Sequence, residues 1–219
     1  MNLLREVFSP IARLLIQFYL RKERTYSLDD ISIKILPGVF HPGFFFSTKF
    51  LLQYLKSLDL KNKSLLELGA GSGLISFIAE KKGAIVTASD LSEEALKGLE
   101  RNLKSLRSRI TIFKSDVLEQ IPAQQFDFIV INPPYYAKQV KEEWELAWNC
   151  GEDFEYYKKL FFRLSDFAHN KTKVIMVLSE DCDIFTIRNI SKRHGWNLVE
   201  QKKRKFWWEW NFIFECVKN

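Results

Sequence analysis

From Ser64 onward the chain alternates short apolar runs with amphipathic ones, and this alternation constrains the fold more than any other feature. Ser64–Leu68, Ile85–Ser89, Ile110–Lys114, Phe126–Ile131 and Val174–Leu178 read as strands, with Leu198–Gln201 and Glu209–Val217 as two more. Between them, Gly73–Lys82, Glu93–Leu106, Asp153–Ala168 and Ile184–His194 carry helical spacing. Strands apolar on both faces and separated by helices imply an α/β, doubly wound, mostly parallel seven-stranded sheet in an αβα sandwich. The last two strands are joined by too short a loop for a crossover, so they are expected to pair antiparallel. A chain of 219 residues is long enough for one such domain and an extension.

The extension is expected over residues 1–38, with the main domain over 39–219. Ser9-Pro10 suits a helix start, and Ile11, Leu14, Leu15 and Phe18 form an apolar stripe opposite Arg13, Gln17, Arg21 and Arg24. Ile31 to Ile35 alternates as a half-exposed strand stopped by Pro37-Gly38. Arg5, Glu6 and Arg13 interrupt the apolar residues of the first 20, so neither a membrane span nor a signal peptide is expected. Cys150, Cys182 and Cys216 are odd in number and scattered, as are His41, His169 and His194, which argues against a disulfide framework or a metal site. A cytoplasmic protein with reduced thiols is expected, and the sequence leaves its oligomeric state open.

Chemistry is written at the strand ends. Glu67-Leu68-Gly69-Ala70-Gly71-Ser72-Gly73 follows the first central strand, where glycine lets backbone turn sharply and approach a ligand. Asp90, with Leu91 behind it, ends the next strand about twenty residues later, the place from which a carboxylate reaches both hydroxyls of a ribose. Asp116-Val117 follows the third. Asn132-Pro133-Pro134-Tyr135 closes the apolar run Phe126 to Ile131 as a rigid polar lip, each proline fixing its own φ and restricting the residue before it.

The glycine run with its acids resembles the class I S-adenosylmethionine-dependent methyltransferases, which implies a Rossmann-like fold and S-adenosyl-L-methionine as cofactor. By that resemblance Glu67, Gly69, Ala70, Gly71 and Gly73 line the methionine portion, Asp90 and Leu91 the ribose, and Asp116 and Val117 the adenine. The tetrapeptide resembles the motif of amino-methyltransferases acting on planar nitrogens, either nucleobase exocyclic amines or the glutamine amide of translation release factors. Such a nitrogen is a poor nucleophile because its lone pair is delocalised. The Asn132 side-chain oxygen and the Pro133 carbonyl would each accept one N–H, while Tyr135 stacks on the flat acceptor and Pro134 stiffens the lip. Asn132, Pro133 and Tyr135 are thus the expected catalytic group. Phe46 and Thr48, ahead of it, are similar to the release-factor glutamine methyltransferase flap next to the cofactor, and Trp148 to Tyr157 to that family's glycine-rich loop and helix. Cys150 and Phe154 stand where that family usually has glycine. Trp148 and Trp144 flank the acceptor site, as pocket walls or as packing groups.

The expected function is therefore N-methylation of a protein glutamine amide, with RNA adenine methylation and a non-catalytic cofactor-fold binding module as alternatives; the partner is a release-factor type protein or RNA. Two features bear on RNA. Lys and Arg exceed Asp and Glu by 33 − 27 = 6. Lys202-Lys203-Arg204-Lys205 precedes Phe206-Trp207-Trp208-Glu209-Trp210, basic residues beside rings that suit phosphates and bases. The rival expectation is a solvated hairpin loop followed by a core-facing strand in which Trp208, Trp210, Phe212 and Phe214 alternate inward.

Overall fold

The computed structural model describes residues 19, 21–44, 46–206 and 209–219. The expected N-terminal helix, apart from Arg21 and Arg24, and the tryptophans at 207 and 208 lie outside those residues. In chain order the elements are β1 (Arg24–Leu28), β2 (Ile31–Ile35), α1 (Phe46–Lys56), β3 (Ser64–Leu68), α2 (Leu74–Lys81), β4 (Ile85–Asp90), α3 (Glu93–Leu106), β5 (Thr111–Lys114), β6 (Phe126–Ile131), a short 3-10 helix (Glu143–Ala147), α4 (Glu155–Phe167), β7 (Ala168–Ser179), α5 (Ile184–Arg193), β8 (Trp196–Phe206) and β9 (Glu209–Lys218).

Seven strands form one sheet in the order β5-β4-β3-β6-β7-β9-β8. The β3–β4, β4–β5, β3–β6 and β6–β7 pairs are parallel, and β9 runs antiparallel between β7 and β8. Period-two alternation feeds two cores. Leu65, Val86, Val130, Val177 and Ile213 pack with α1, α2, α3 and β2, whereas Leu66, Ile129, Met176, Leu178 and Phe214 pack with α4 and α5. Each fully buried aliphatic side chain contributes about 1.5–3 kcal/mol of hydrophobic stabilisation. The chain leaves β3 to build β4 and β5 on one side and returns to β6 on the other. A crevice therefore opens beyond the carboxyl ends of β3 and β6.

β7 begins earlier than expected, at Ala168, and two other elements differ more from expectation. β1 is a strand the sequence concealed, because its residues are half-exposed and carry only weak alternation. It forms a hairpin with β2 through Asp29 and Asp30, both at positive φ (49° and 62°), which matches the twist of a two-residue turn. The hairpin buries Ile31, Ile33 and Ile35, and the Asn102 amide of α3 completes its edge: Lys34 N donates to Asn102 Oδ1 and Asn102 Nδ2 donates to the Lys34 carbonyl, each at 2.8 Å. The second difference is β8. Lys202 to Lys205 lie within the strand rather than in a hairpin loop, because pairing with β9 continues to Phe206 against Glu209. Trp210 is exposed rather than core-facing; among the described residues of that stripe Phe212 is half-buried and Phe214 fully buried.

Candidate active site

The first wall is the turn after β3. Gly69, Gly71 and Gly73 all take positive φ (66°, 53° and 78°). Ala70 N donates to the Ser89 carbonyl at 2.9 Å, pinning the turn to β4. At Gly69 a methyl group would meet nothing within 4 Å, and at Gly71 only Phe40 Cβ at 3.9 Å, so both positions border open space that a ligand can enter. Gly73 differs: a Cβ there would collide with Leu99 Cδ2, so this glycine serves helix packing and does not line the cavity.

Asp90 holds the turn from the side. Its Oδ2 accepts from Gly71 N at 2.7 Å and its Oδ1 from Ser92 N at 2.9 Å. Burial raises its pKa against the lowering effect of those bonds. Glu67 is buried (4% exposed) on β3 and accepts from Ser76 Oγ of α2. Burial raises its carboxyl to about 8, more than the Ser76 bond lowers it, so it is mostly protonated at neutral pH in the ligand-free protein.

At the end of β5, Ser115 N donates to the Asp90 carbonyl (3.0 Å) and the Asp116 carboxylate pairs with Lys159 of α4. Val117 takes φ 55°, a strained value for a β-branched residue, and its carbonyl accepts from Ser115 Oγ at 3.2 Å. Tyr156, one turn before Lys159, also lines the cavity; its buried hydroxyl has no hydrogen-bond partner.

The opposite wall is the tetrapeptide after β6. Asn132 Nδ2 donates to Thr48 Oγ1 (3.4 Å) and Asn132 Oδ1 accepts from the Tyr135 hydroxyl (3.3 Å), which fixes the amide's orientation and leaves the oxygen a second lone pair. The Pro134 carbonyl accepts from the buried Tyr157 hydroxyl at 3.0 Å, which anchors the prolines from below. Burial pushes the Tyr135 phenol well above its ordinary value, so it stays a donor.

Two segments cover the crevice. Residues 38–48 contribute Val39, Phe40, Pro42, Ser47 and Thr48 to its lining. The loop after Tyr135 closes on itself through Tyr136 N to the Trp148 carbonyl (2.9 Å) and Cys150 N to the Tyr136 carbonyl (2.8 Å). Its Trp148 ring packs on Phe40 at 5.3 Å, and its Glu143 carboxylate accepts from Glu93 N at the start of α3 (2.8 Å). The cavity, open to solvent on one side, has a volume of about 390 Å³.

Glu67, Gly69, Ala70, Gly71, Asp90, Leu91, Asp116, Val117, Thr48, Asn132, Pro133, Pro134, Tyr135, Trp148 and Trp144 all border this one cavity. Phe46 does not: its ring stacks on Phe206 at 4.8 Å, drawn there by the β8–β9 hairpin. The structure adds Tyr156, Lys159, Asp181 and Glu209, which the sequence did not single out. The spacing of Tyr156 and Lys159 on one helix was a usable signal, and so was the place of Asp181 just past the carboxyl end of β7; Glu209 gave none, because β9 reaches the site only through its insertion beside β7.

This sheet order, with a glycine turn after β3 and an acid at the end of β4, is a methyltransferase fold. The T. thermophilus 16S rRNA methyltransferase RsmC, solved in complex with AdoMet and guanosine, superposes with a TM-score of 0.65 at 17% identity, over 90% of this chain and 50% of that one. A model of the methyltransferase small domain matches residues 30–150, more than half the chain, and the chain belongs to that family. A ribosomal protein L11 methyltransferase of Thermotoga neapolitana is 28% identical over 191 residues, 84% of this chain and 63% of the relative. A putative protein N5-glutamine methyltransferase of Methanocaldococcus jannaschii is 36% identical over 128 residues, 58% of this chain and 62% of the relative. The chain thus spans just under two thirds of the length of either.

The family and fold imply S-adenosylmethionine as cofactor. The residues present fit it: Gly69 and Gly71 leave open space where a Cβ would stand, Asp90 presents a carboxylate, and the Tyr156 hydroxyl is an orphaned buried group on the same cavity.

Proposed function

We propose that this protein is an S-adenosylmethionine-dependent N-methyltransferase whose acceptor is a protein glutamine amide of the translation release-factor type. The observation that carries this reading is the fixed Asn132 amide, held by Thr48 and Tyr135 across one cavity from the Gly71–Asp90 edge. The kinship with a relative named for glutamine methylation supports the choice of acceptor.

Glu67 and Gly69 to Gly71 would hold the amino-acid end of the cofactor, Asp90 and Leu91 the ribose, and Asp116, Val117 and Tyr156 the base. When bound, the cofactor supplies a methyl group activated by a sulfonium. The chain's own residues prepare the acceptor. Asn132 Oδ1 and the Pro133 carbonyl accept the two amide hydrogens, which pulls the nitrogen lone pair out of conjugation and aims it across the cavity. Tyr135 covers the flat amide, and Phe40 with Trp148 excludes water from the space above it. Catalysis is then positioning and electrostatics, and fixed orientation of this kind lowers a barrier by on the order of 7–11 kcal/mol. The surplus proton stays on the methylated nitrogen, hydrogen-bonded to Asn132 Oδ1, and is lost to solvent as the product leaves the cavity.

A tritiated-donor assay against release factor, ribosomal protein and rRNA tests the acceptor, and label in RNA alone would refute it. Replacing Asn132 by Ala is expected to lower kcat at least about a hundredfold, while S-adenosylhomocysteine affinity by calorimetry stays within about twofold. Undiminished turnover would remove Asn132 from its role.

A further inference from the structure

β8 is the outermost strand of the large sheet, and its other side carries no strand among the described residues. Trp196 and Leu198 anchor its first half in the core, whereas every residue from Val199 to Lys205 is exposed. A register shift between Glu200 and Lys202 separates the halves, and four cations follow it in succession. Directly opposed residues of an antiparallel pair share a face. Lys203 and Lys205, opposite Phe212 and Trp210, therefore project on one face, and Lys202 and Arg204, opposite Ile213 and Asn211, on the other. On the first face both ammonium groups lie 5.8 Å from the Trp210 ring centroid. On the second, Lys202 sits 5.4 Å from the Tyr54 ring and Arg204 donates to Gln53 Oε1 at 3.0 Å. None of the four forms an ion pair with a carboxylate among the described residues.

The two-faced distribution selects the partner. A nucleic-acid strand tracks one groove or face, and this strip would offer it only half its charges. A polypeptide added at the sheet edge lies in the plane of the sheet and alternates its own side chains, so consecutive acidic residues meet cations on both faces.

The strip is also placed to serve the cavity. β8 runs in the same sense as β6, so its basic half lies toward the carboxyl ends of the central strands. Phe206, at its end, stacks on Phe46, two residues before Thr48, and Glu209, which begins β9, lines the cavity with Asp181. An added strand would lie four strand spacings from β6, roughly 19 Å, a distance that about six extended residues cover.

The geometry points to β8 as a docking edge for an extended acidic segment of the protein substrate, separated by about six residues from the glutamine that enters the cavity. The placement of the glutamine rests on the acceptor reading above; the docking edge itself does not.

The test uses the full chain with S-adenosylhomocysteine and short synthetic peptides carrying an Asp/Glu block on either side of a glutamine, about six residues away, beside versions with serine in place of the block. Fluorescence anisotropy is expected to show an acidic peptide binding at least about tenfold tighter than its serine version, with the difference shrinking as salt rises. The variant Lys202→Thr/Lys203→Thr/Arg204→Thr/Lys205→Thr, which keeps strand propensity, should abolish that difference, and Lys205→Glu alone should reduce it. In methyl transfer the acidic block should lower KM at least about tenfold with little change in kcat. Equal binding of acidic and serine peptides overturns the proposal. So does a threonine variant that binds the acidic peptide like the parent and merely self-associates, since the charges then only guard an edge. Strip-dependent binding of poly(U) without binding of the acidic peptide overturns it in favour of RNA. Strip-dependent peptide binding with no labelled glutamine supports the docking edge and refutes the acceptor reading instead.

Discussion

Glu67 allows a quantitative test that is independent of any substrate. It sits on a central strand, almost fully buried, with Ser76 as its hydrogen-bond partner and a carboxyl raised to about 8 by burial. The folded pKa exceeds the unfolded one, so its stabilising contribution is complete below about 4.5 and is lost as pH rises through 8. From those two values, the wild-type protein loses about 4 kcal/mol between pH 5 and pH 8.5 through this group alone. The isosteric variant Glu67→Gln keeps an acceptor for Ser76 and has nothing to ionise. Urea unfolding at both pH values, followed by tryptophan fluorescence, should therefore show the variant gaining on the wild type by about that amount as pH rises, while the other titrating groups cancel in the difference. A gap that stays flat within about 1 kcal/mol would refute the argument that burial dominates at this carboxyl. In the placement proposed above, Glu67 meets the ammonium group at the amino-acid end of the ligand, and a cation beside a carboxyl favours its ionised form. Saturating S-adenosylhomocysteine, with its ammonium group, should accordingly shrink the pH dependence of the wild type.

Three further outcomes are expected. Asp90→Ala should weaken S-adenosylhomocysteine binding by about 1–3 kcal/mol in calorimetry, because Gly71 N and Ser92 N lose their acceptor along with the ribose. Asn102→Ala should destabilise the fold by about 2–4 kcal/mol in urea, since the Lys34 N–H and carbonyl both lose their partners. Gly69→Ala and Gly73→Ala should both lower the thermal midpoint, since each puts alanine at positive φ, but Gly73→Ala should lower it further because its Cβ also meets Leu99; equal melting of the two would contradict this division.

Much of the scaffold was legible because strand and helix periods are local. Leu65 and Leu66 face opposite cores as neighbours on a strand must, and Glu93–Leu106 is the helix its spacing requires, with Ser92 capping it through Ala95 N. The glycine turn and the Asn132 tetrapeptide were legible too, since positive φ and proline rigidity are written in residue type. Less visible was anything set by pairing between distant segments. β1 exists because β2 needs an edge partner, and the basic run became strand because β9 lay beside it.

The sequence by itself determined most of the strands and helices from Ser64 onward, and which strand ends carry glycine, acid or amide, because those properties depend on a few bonds of backbone and the side chains upon it. Tertiary structure alone decided that β9 threads between β7 and β8, that Phe46 turns to Phe206 and away from the cavity, and that Tyr156, Asp181 and Glu209 join Asn132 around one space. Those choices follow from closing contacts across scores of residues, where the entropy of loop closure is weighed against burial over the whole sheet and no local pattern records the result.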